Sequence, residues 1–238
     1  HSLPPTMLTS QLRQLLRHVL QSGDYAALPA TVAGRRHADR RQCGVLLGEE
    51  LLPAMGEEYW RIFAAVVPTD PKAYLGTFLK ALSLLLRRDR NCWRDPLLAN
   101  FLRNQASDID RRKCAETIMP RLEGIAEIEE LVAICFPDAK ESKALFLLRT
   151  ATPQAYFLLF KHLRTIDDDA ATLRKYCIAL LKRGDSLSFN MAYIIQDYFG
   201  LERLPATFSL HLQPYQYSRL EQSYDEFCQL LTNNPSKH

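Results

Sequence analysis

The sequence predicts an all-α protein, an α-solenoid built from stacked antiparallel helix pairs. Three observations carry this. Apolar residues recur with helical period along almost the whole chain, helix start and stop signals are frequent and close together, and short phrases repeat at spacings suited to helix pairs. Composition agrees: 47% of the 238 residues are apolar and only 9 are glycine.

About a dozen helices follow, most near the common length of ~11–12 residues. The first, near 7–21, carries the stripe Leu8, Leu12, Leu15, Leu16 and Val19. Helices near 24–33 and 37–52 flank Gly34, a stop signal, and another runs near 56–67. The helix near 71–88 opens at Asp70-Pro71 and carries Leu75, Phe78, Leu79, Leu82, Leu85 and Leu86 on one side. The helices near 95–104 and 153–164 open in the same way, at Asp95-Pro96 and Thr152-Pro153. In each, a capping oxygen accepts an otherwise unpaired amide, and proline's missing N–H costs nothing at the first helical position.

Further helices are expected near 108–119 and 124–136, with Gly124 a stop signal. The one near 139–149 follows Asp138-x-x-Glu141, which has capping-box spacing. Asp167, Asp168 and Asp169 form the N-cap region of a helix near 168–183, and Gly184 stops it. The helix near 187–199 is apolar around most of its circumference from Ala192 to Phe199, so it is expected to be central and buried; Gly200 stops it. A last helix is placed near 214–232. Thr207 to Leu212 is the only strand candidate, and it is short. No linker or low-complexity stretch divides the chain, so residues 7–238 read as a single helical repeat domain. Met7 reads as a native start, with residues 1–6 an appended remnant.

Two phrases repeat. Asp39-Arg40-Arg41-Gln42-Cys43-Gly44 returns as Asp110-Arg111-Arg112-Lys113-Cys114-Ala115, and more weakly as Arg174-Lys175-Tyr176-Cys177. Pro71-x-Ala73-Tyr74-x-x-x-Phe78 returns as Pro153-x-Ala155-Tyr156-x-x-x-Phe160, 82 residues later. The arginine phrase has different offsets, 71 and 63 residues, so any duplication is degenerate.

Asp108-x-x-x-Arg112-x-x-Ala115-x-x-x-Met119 and Leu173-Arg174-x-x-Cys177-x-x-Leu180-Leu181 resemble the second helix of HEAT-like repeats. There an acidic residue and an arginine precede small and apolar residues at helical spacing. The resemblance covers two or three helices and implies a HEAT/ARM-like stack. It also implies that the aspartate and arginine support stacking.

The arginines are therefore open to two readings. A cation in the first helical turn faces the positive end of the helix dipole, a penalty of roughly 0.3–1 kcal/mol, so a partner is required. That partner is an acidic side chain of the stack, or an anionic ligand meeting an arginine ridge. Arg40, Arg41, Arg111, Arg112 and Arg174 are accordingly the candidate partner-binding residues, joined by Tyr215 and Tyr217, since tyrosine is common in interface hot spots.

The wider basic clusters lie between residues 35 and 113. They support an alternative, a nucleic-acid-binding HEAT-like module using Arg36, Arg40, Arg41, Arg87, Arg88, Arg111 and Arg112 to neutralise phosphates. Net charge is only +3, mild for that role. Helical-repeat DNA glycosylases of the alkylpurine type have similar size, and Trp93 with Asp95 invites comparison with them, but no supporting motif surrounds the pair.

Catalytic motifs are missing. Adjacent carboxylates such as Glu49-Glu50 and Glu57-Glu58 diverge on a helix. His18, His37, His162 and His211 are isolated, and neither a nucleophile elbow nor a phosphate-binding glycine loop occurs. The six cysteines are dispersed, without metal-ligand spacing, and those of the arginine phrase fall on apolar stripes as small hydrophobes. The expectation is a cytoplasmic, non-catalytic scaffold that binds a protein or peptide partner, without metal, cofactor or membrane span.

Overall fold

A computed structural model describes residues 5–28, 46, 48, 56–138, 140–202 and 224–232. Among the described residues the chain forms eleven α-helices and no strand. They are α1 (Pro5–Ser22), α2 (Glu58–Val66), α3 (Pro71–Arg88), α4 (Pro96–Asn104), α5 (Asp108–Ile118), α6 (Ile125–Cys135), α7 (Lys140–Thr150), α8 (Pro153–Thr165), α9 (Ala170–Lys182), α10 (Ser186–Phe199) and α11 (Tyr224–Thr232). The all-α expectation holds for these residues. The strand candidate at 207–212 lies outside them, as do Gly34 and the first copy of the arginine phrase.

The start signals work as expected. Asp70 accepts from the Ala73 N–H, Asp95 from Leu97, Thr152 from Ala155 and Asp169 from Thr172. Each satisfies an amide that no helical carbonyl can reach. A further cap was not anticipated. Ser107 accepts from the Asp110 N–H at 3.2 Å, and Asp110 Oδ2 accepts from the Ser107 N–H at 3.0 Å, a reciprocal capping box. Asp138 and Glu141 flank the start of α7 at Lys140, and residue 139 between them lies outside the described residues. Gly200 ends α10 in the left-handed conformation (φ 61°), and Leu201 N–H closes the turn on Gln196 C=O at 2.9 Å.

The chain clusters into two compact units, residues 1–123 with 130–137 and residues 124–129 with 138–238; the division falls within α6. In the first unit, α2 buries five residues, Tyr59, Trp60, Ile62, Phe63 and Val66. Phe63 meets Phe78 of α3 and Phe101 of α4 edge-on, with ring centroids 5.6 and 5.1 Å apart. Such T-shaped pairs add about 0.5–1.5 kcal/mol beyond area burial. Tyr59 Oη donates to Phe78 C=O (2.6 Å) and Trp60 Nε1 to Cys92 C=O (2.8 Å), so both buried polar tips are satisfied. The whole predicted stripe of α3 is buried.

In the second unit, residues 190–196 of α10 are buried on every side, packed by α8, α9 and α11. The expected burial of Ala192 to Phe199 holds through Gln196, while Asp197, Tyr198 and Phe199 are half-buried. Two of the buried polar side chains of α10 bond neighbouring helices: Ser188 bonds Tyr156 Oη at 2.7 Å, and Asn190 Nδ2 donates to Leu231 C=O in the last turn of α11. Phe160 contacts Tyr198 and Phe227, and the Arg164 guanidinium lies 5.0 Å from the Tyr198 ring.

Candidate interaction site

The second copy of the arginine phrase lies on α5, in the first unit. Cys114 is fully buried and burial pushes its thiol up to about 12, so it packs as a neutral hydrophobe. Arg111 points toward the end of α4, and its side chain is only 17% exposed. Its Nε donates to Leu102 C=O at 2.9 Å. That carbonyl lies in the last turn of α4, where the Gln105 and Ala106 amides both go to Phe101 C=O instead. Arg111 thus answers its own dipole penalty. It sits at the positive end of α5 but against the negative end of α4, with Asp108 3.5 Å away. Arg112 lies 3.7 Å from Glu116. Asp110 turns away from both arginines into the capping box.

The third copy lies on α9, in the second unit. Cys177 is fully buried, its thiol raised by burial to about 12, and Arg174 pairs with Glu202 at 2.9 Å. Arg36, Arg40, Arg41, Tyr215 and Tyr217 lie outside the described residues. Of the remaining basic residues in the first unit, Arg90 pairs with Glu123 at 2.7 Å, and Arg94 pairs with Glu130 at 3.0 Å while lying 4.9 Å from the Trp93 ring. Arg87 and Arg88 are exposed in the last turn of α3, the end where the dipole favours cations. Trp93 is buried and Asp95 caps α4, so both have structural roles.

A cleft of about 560 Å³ in the first unit was not singled out as a site by the sequence, although it includes the nucleic-acid candidate Arg88 and the cap Asp95. It lies where α3 ends and α2 and α4 begin, and is lined by Gly56, Glu57, Trp60, Leu85, Arg88, Asp89, Cys92 and Asp95. Trp60 and Leu85 are buried and form an apolar floor, while Glu57, Arg88 and Asp89 are exposed at the rim. Burial, with Asp89 nearby, pushes the Cys92 thiol up to about 11, so it stays protonated near neutrality. Asp89 Oδ1 accepts from the Asn91 N–H and Asp95 Oδ1 from the Leu97 N–H. The available signal was the break between two helices, Asp89 to Asp95, dense in charge and aromatic character. Read residue by residue, it shows only a turn and a cap.

In the second unit, His162 Nε2 lies 3.0 Å from Lys140 C=O, and burial lowers its pKa. Among the described residues no group of three or more His, Cys, Asp or Glu side chains is placed to hold a metal ion, and no helix is long and apolar enough to cross a membrane. No protein-family model, curated protein or solved structure matches the chain.

Proposed function

We propose that the chain is a non-catalytic helical-repeat scaffold, an α-solenoid of HEAT/ARM-like pairs, that binds a protein or peptide partner. The cleft beside the end of α3 carries this reading. Its volume falls in the range of about 300–1,000 Å³ typical of ligand sites, and it joins an apolar floor to a charged rim. Asp95 caps α4, Asp89 accepts from the Asn91 amide and the Cys92 thiol stays protonated, an arrangement unlike an acid–base or nucleophilic set. Packing of consecutive helices, α7 on α8 and α9 on α10, supports helix-pair repeats. The free thiols of Cys92, Cys114, Cys135, Cys177 and Cys228 support a reducing, cytoplasmic setting.

Arg40, Arg41, Arg111, Arg112, Arg174, Tyr215 and Tyr217 remain the expected partner contacts in this reading; of those described, Arg112 and Arg174 are the more exposed. The nucleic-acid alternative loses weight because Arg90, Arg94, Arg111 and Arg112 each lie beside a carboxylate that offsets their charge. The test is selection of a displayed random-peptide library on the immobilised full chain, beside titration of labelled single- and double-stranded oligonucleotides at low salt. Enriched peptides with saturable binding support the scaffold. Oligonucleotide binding that weakens with salt and is lost on charge reversal of Arg40, Arg41, Arg111 and Arg112 would replace it.

A further inference from the structure

We propose that the cleft at the end of α3 receives a basic side chain, arginine or lysine, from the partner segment; this rests on the peptide-binding reading above. Three carboxylates, Glu57, Asp89 and Asp95, face a single lining cation, Arg88. Asp89 and Asp95 each use Oδ1 on a backbone amide, and both residues line the cleft. The neighbouring arginines of the same segment pair with other carboxylates, Arg90 with Glu123 and Arg94 with Glu130.

The floor narrows the choice of cation. A hydrated inorganic ion gains nothing from Trp60 and Leu85. An arginine or lysine has the matching form, an apolar stem ending in a charged head. Its methylenes lie over the Trp60–Leu85 floor and its head reaches the carboxylates. Arginine gains further from paired N–H donors that match a carboxylate. An acidic side chain or a phosphate would meet three carboxylates against one guanidinium and is rejected by the same arrangement.

The test is a double-mutant cycle between chain and peptide. A peptide enriched on the full chain is synthesised with its basic residue intact or replaced by norleucine, which keeps the stem and removes the charge. Each is titrated against the wild-type chain and against the double variant Glu57→Gln/Asp89→Asn. Both substitutions are at exposed positions, and asparagine retains an acceptor for the Asn91 amide, so the circular dichroism and unfolding midpoint of the variant should match wild type. The expected result is a loss of about ten-fold or more in affinity from either change alone, with little further loss from both together. Enriched peptides without a basic residue, or losses that simply multiply, would overturn the cleft assignment and leave peptide binding standing. A library that yields no binding peptide would overturn both.

Discussion

The phrase Pro-x-Ala-Tyr-x-x-x-Phe opens both α3 and α8, yet the two helices lie in very different surroundings. Their starts are alike: Asp70 caps α3 and Thr152 caps α8 through the same amide, that of the alanine at the third helical position. Both place a fully buried phenylalanine one and a half turns on, Phe78 and Phe160. Beyond that they diverge. Ala73 is exposed and Tyr74 half-buried, whereas Ala155 and Tyr156 are buried. Gly76 and Lys80 face solvent, while Leu158 and His162, in the matching positions, do not. Among the described residues, α3 packs chiefly on α5 and on the short 3-10 turns at its ends, whereas α8 packs on α7, α10 and α11. The echo encodes a helix start and one anchor, and the surroundings are set by distant sequence.

The largest expected effects test that division. Phe78→Ala and Phe160→Ala should each destabilise by roughly 3–5 kcal/mol, since each leaves a large cavity. Tyr156→Ala should cost a similar amount, because it leaves a large cavity and removes one of the two hydrogen bonds of Ser188 Oγ. Tyr74→Ala should cost no more than about 1 kcal/mol, as expected away from the core. Denaturant midpoints of the four full-length variants decide the matter. Equal losses at Tyr74 and Tyr156 would mean that the two copies share their environment after all.

The arginine phrase supports a second comparison of smaller size. Arg111 hydrogen-bonds an orphan carbonyl with little exposure, whereas Arg174 holds a largely exposed glutamate. Arg111→Met should destabilise by about 1–3 kcal/mol, the range for stranding a buried acceptor of a charged donor. Arg174→Met should stay within about 0.5 kcal/mol, as surface ion pairs commonly do. Reversal of that order in thermal or denaturant unfolding would remove the distinction between the two copies.

Local chemistry made most of the fold legible. The caps at Asp70, Asp95, Thr152 and Asp169 are complete within three residues, and the buried stripe of α3 within five turns. The dipole argument also identified correctly that Arg111 needs a partner. It did not identify Leu102 C=O, because that depends on how α4 ends nine residues earlier and on which amides bypass the carbonyl. The cleft was illegible for the same reason. Glu57, Leu85 and Asp95 belong to three helix ends that only packing brings together.

His162 sharpens the contrast between the two helices further, since its counterpart in α3 is the exposed Lys80. Burial holds His162 neutral, with Lys140, Lys143 and Asp168 as the charged groups that act on it. Its folded pKa lies below the unfolded value of about 6.5, so the unfolded chain binds the proton first. The stabilisation is therefore complete above about pH 6.5 and is lost as pH falls through the folded value. His162→Gln keeps a donor for Lys140 C=O and cannot titrate. Its melting temperature should fall less than that of wild type between pH 7.5 and 5. Lys80→Gln should leave the pH dependence of wild type unchanged, and matching slopes for wild type and His162→Gln would show that the ring does not titrate with folding.

The smallest effect lies at the approach to the two caps. Asp70 is reached through the 3-10 turn Val67–Thr69, but Thr152 is reached through Ala151, a non-glycine residue at φ 52°. An L-residue with a Cβ is strained there, by roughly 1–2 kcal/mol, and α7 must end in that conformation for the chain to turn directly into α8. Glycine removes the strain but gives the unfolded chain more freedom, which returns part of the gain. Ala151→Gly should therefore stabilise by less than about 1 kcal/mol, and the sign is the informative part. Thr69→Gly, at the matching position before Asp70, should destabilise instead, because its hydroxyl donates to Val66 C=O at 2.6 Å and no positive φ is relieved. Opposite signs for the two substitutions would show that the same opening phrase is entered by two different backbone routes. A loss of stability in Ala151→Gly would mean that the left-handed alanine is not strained.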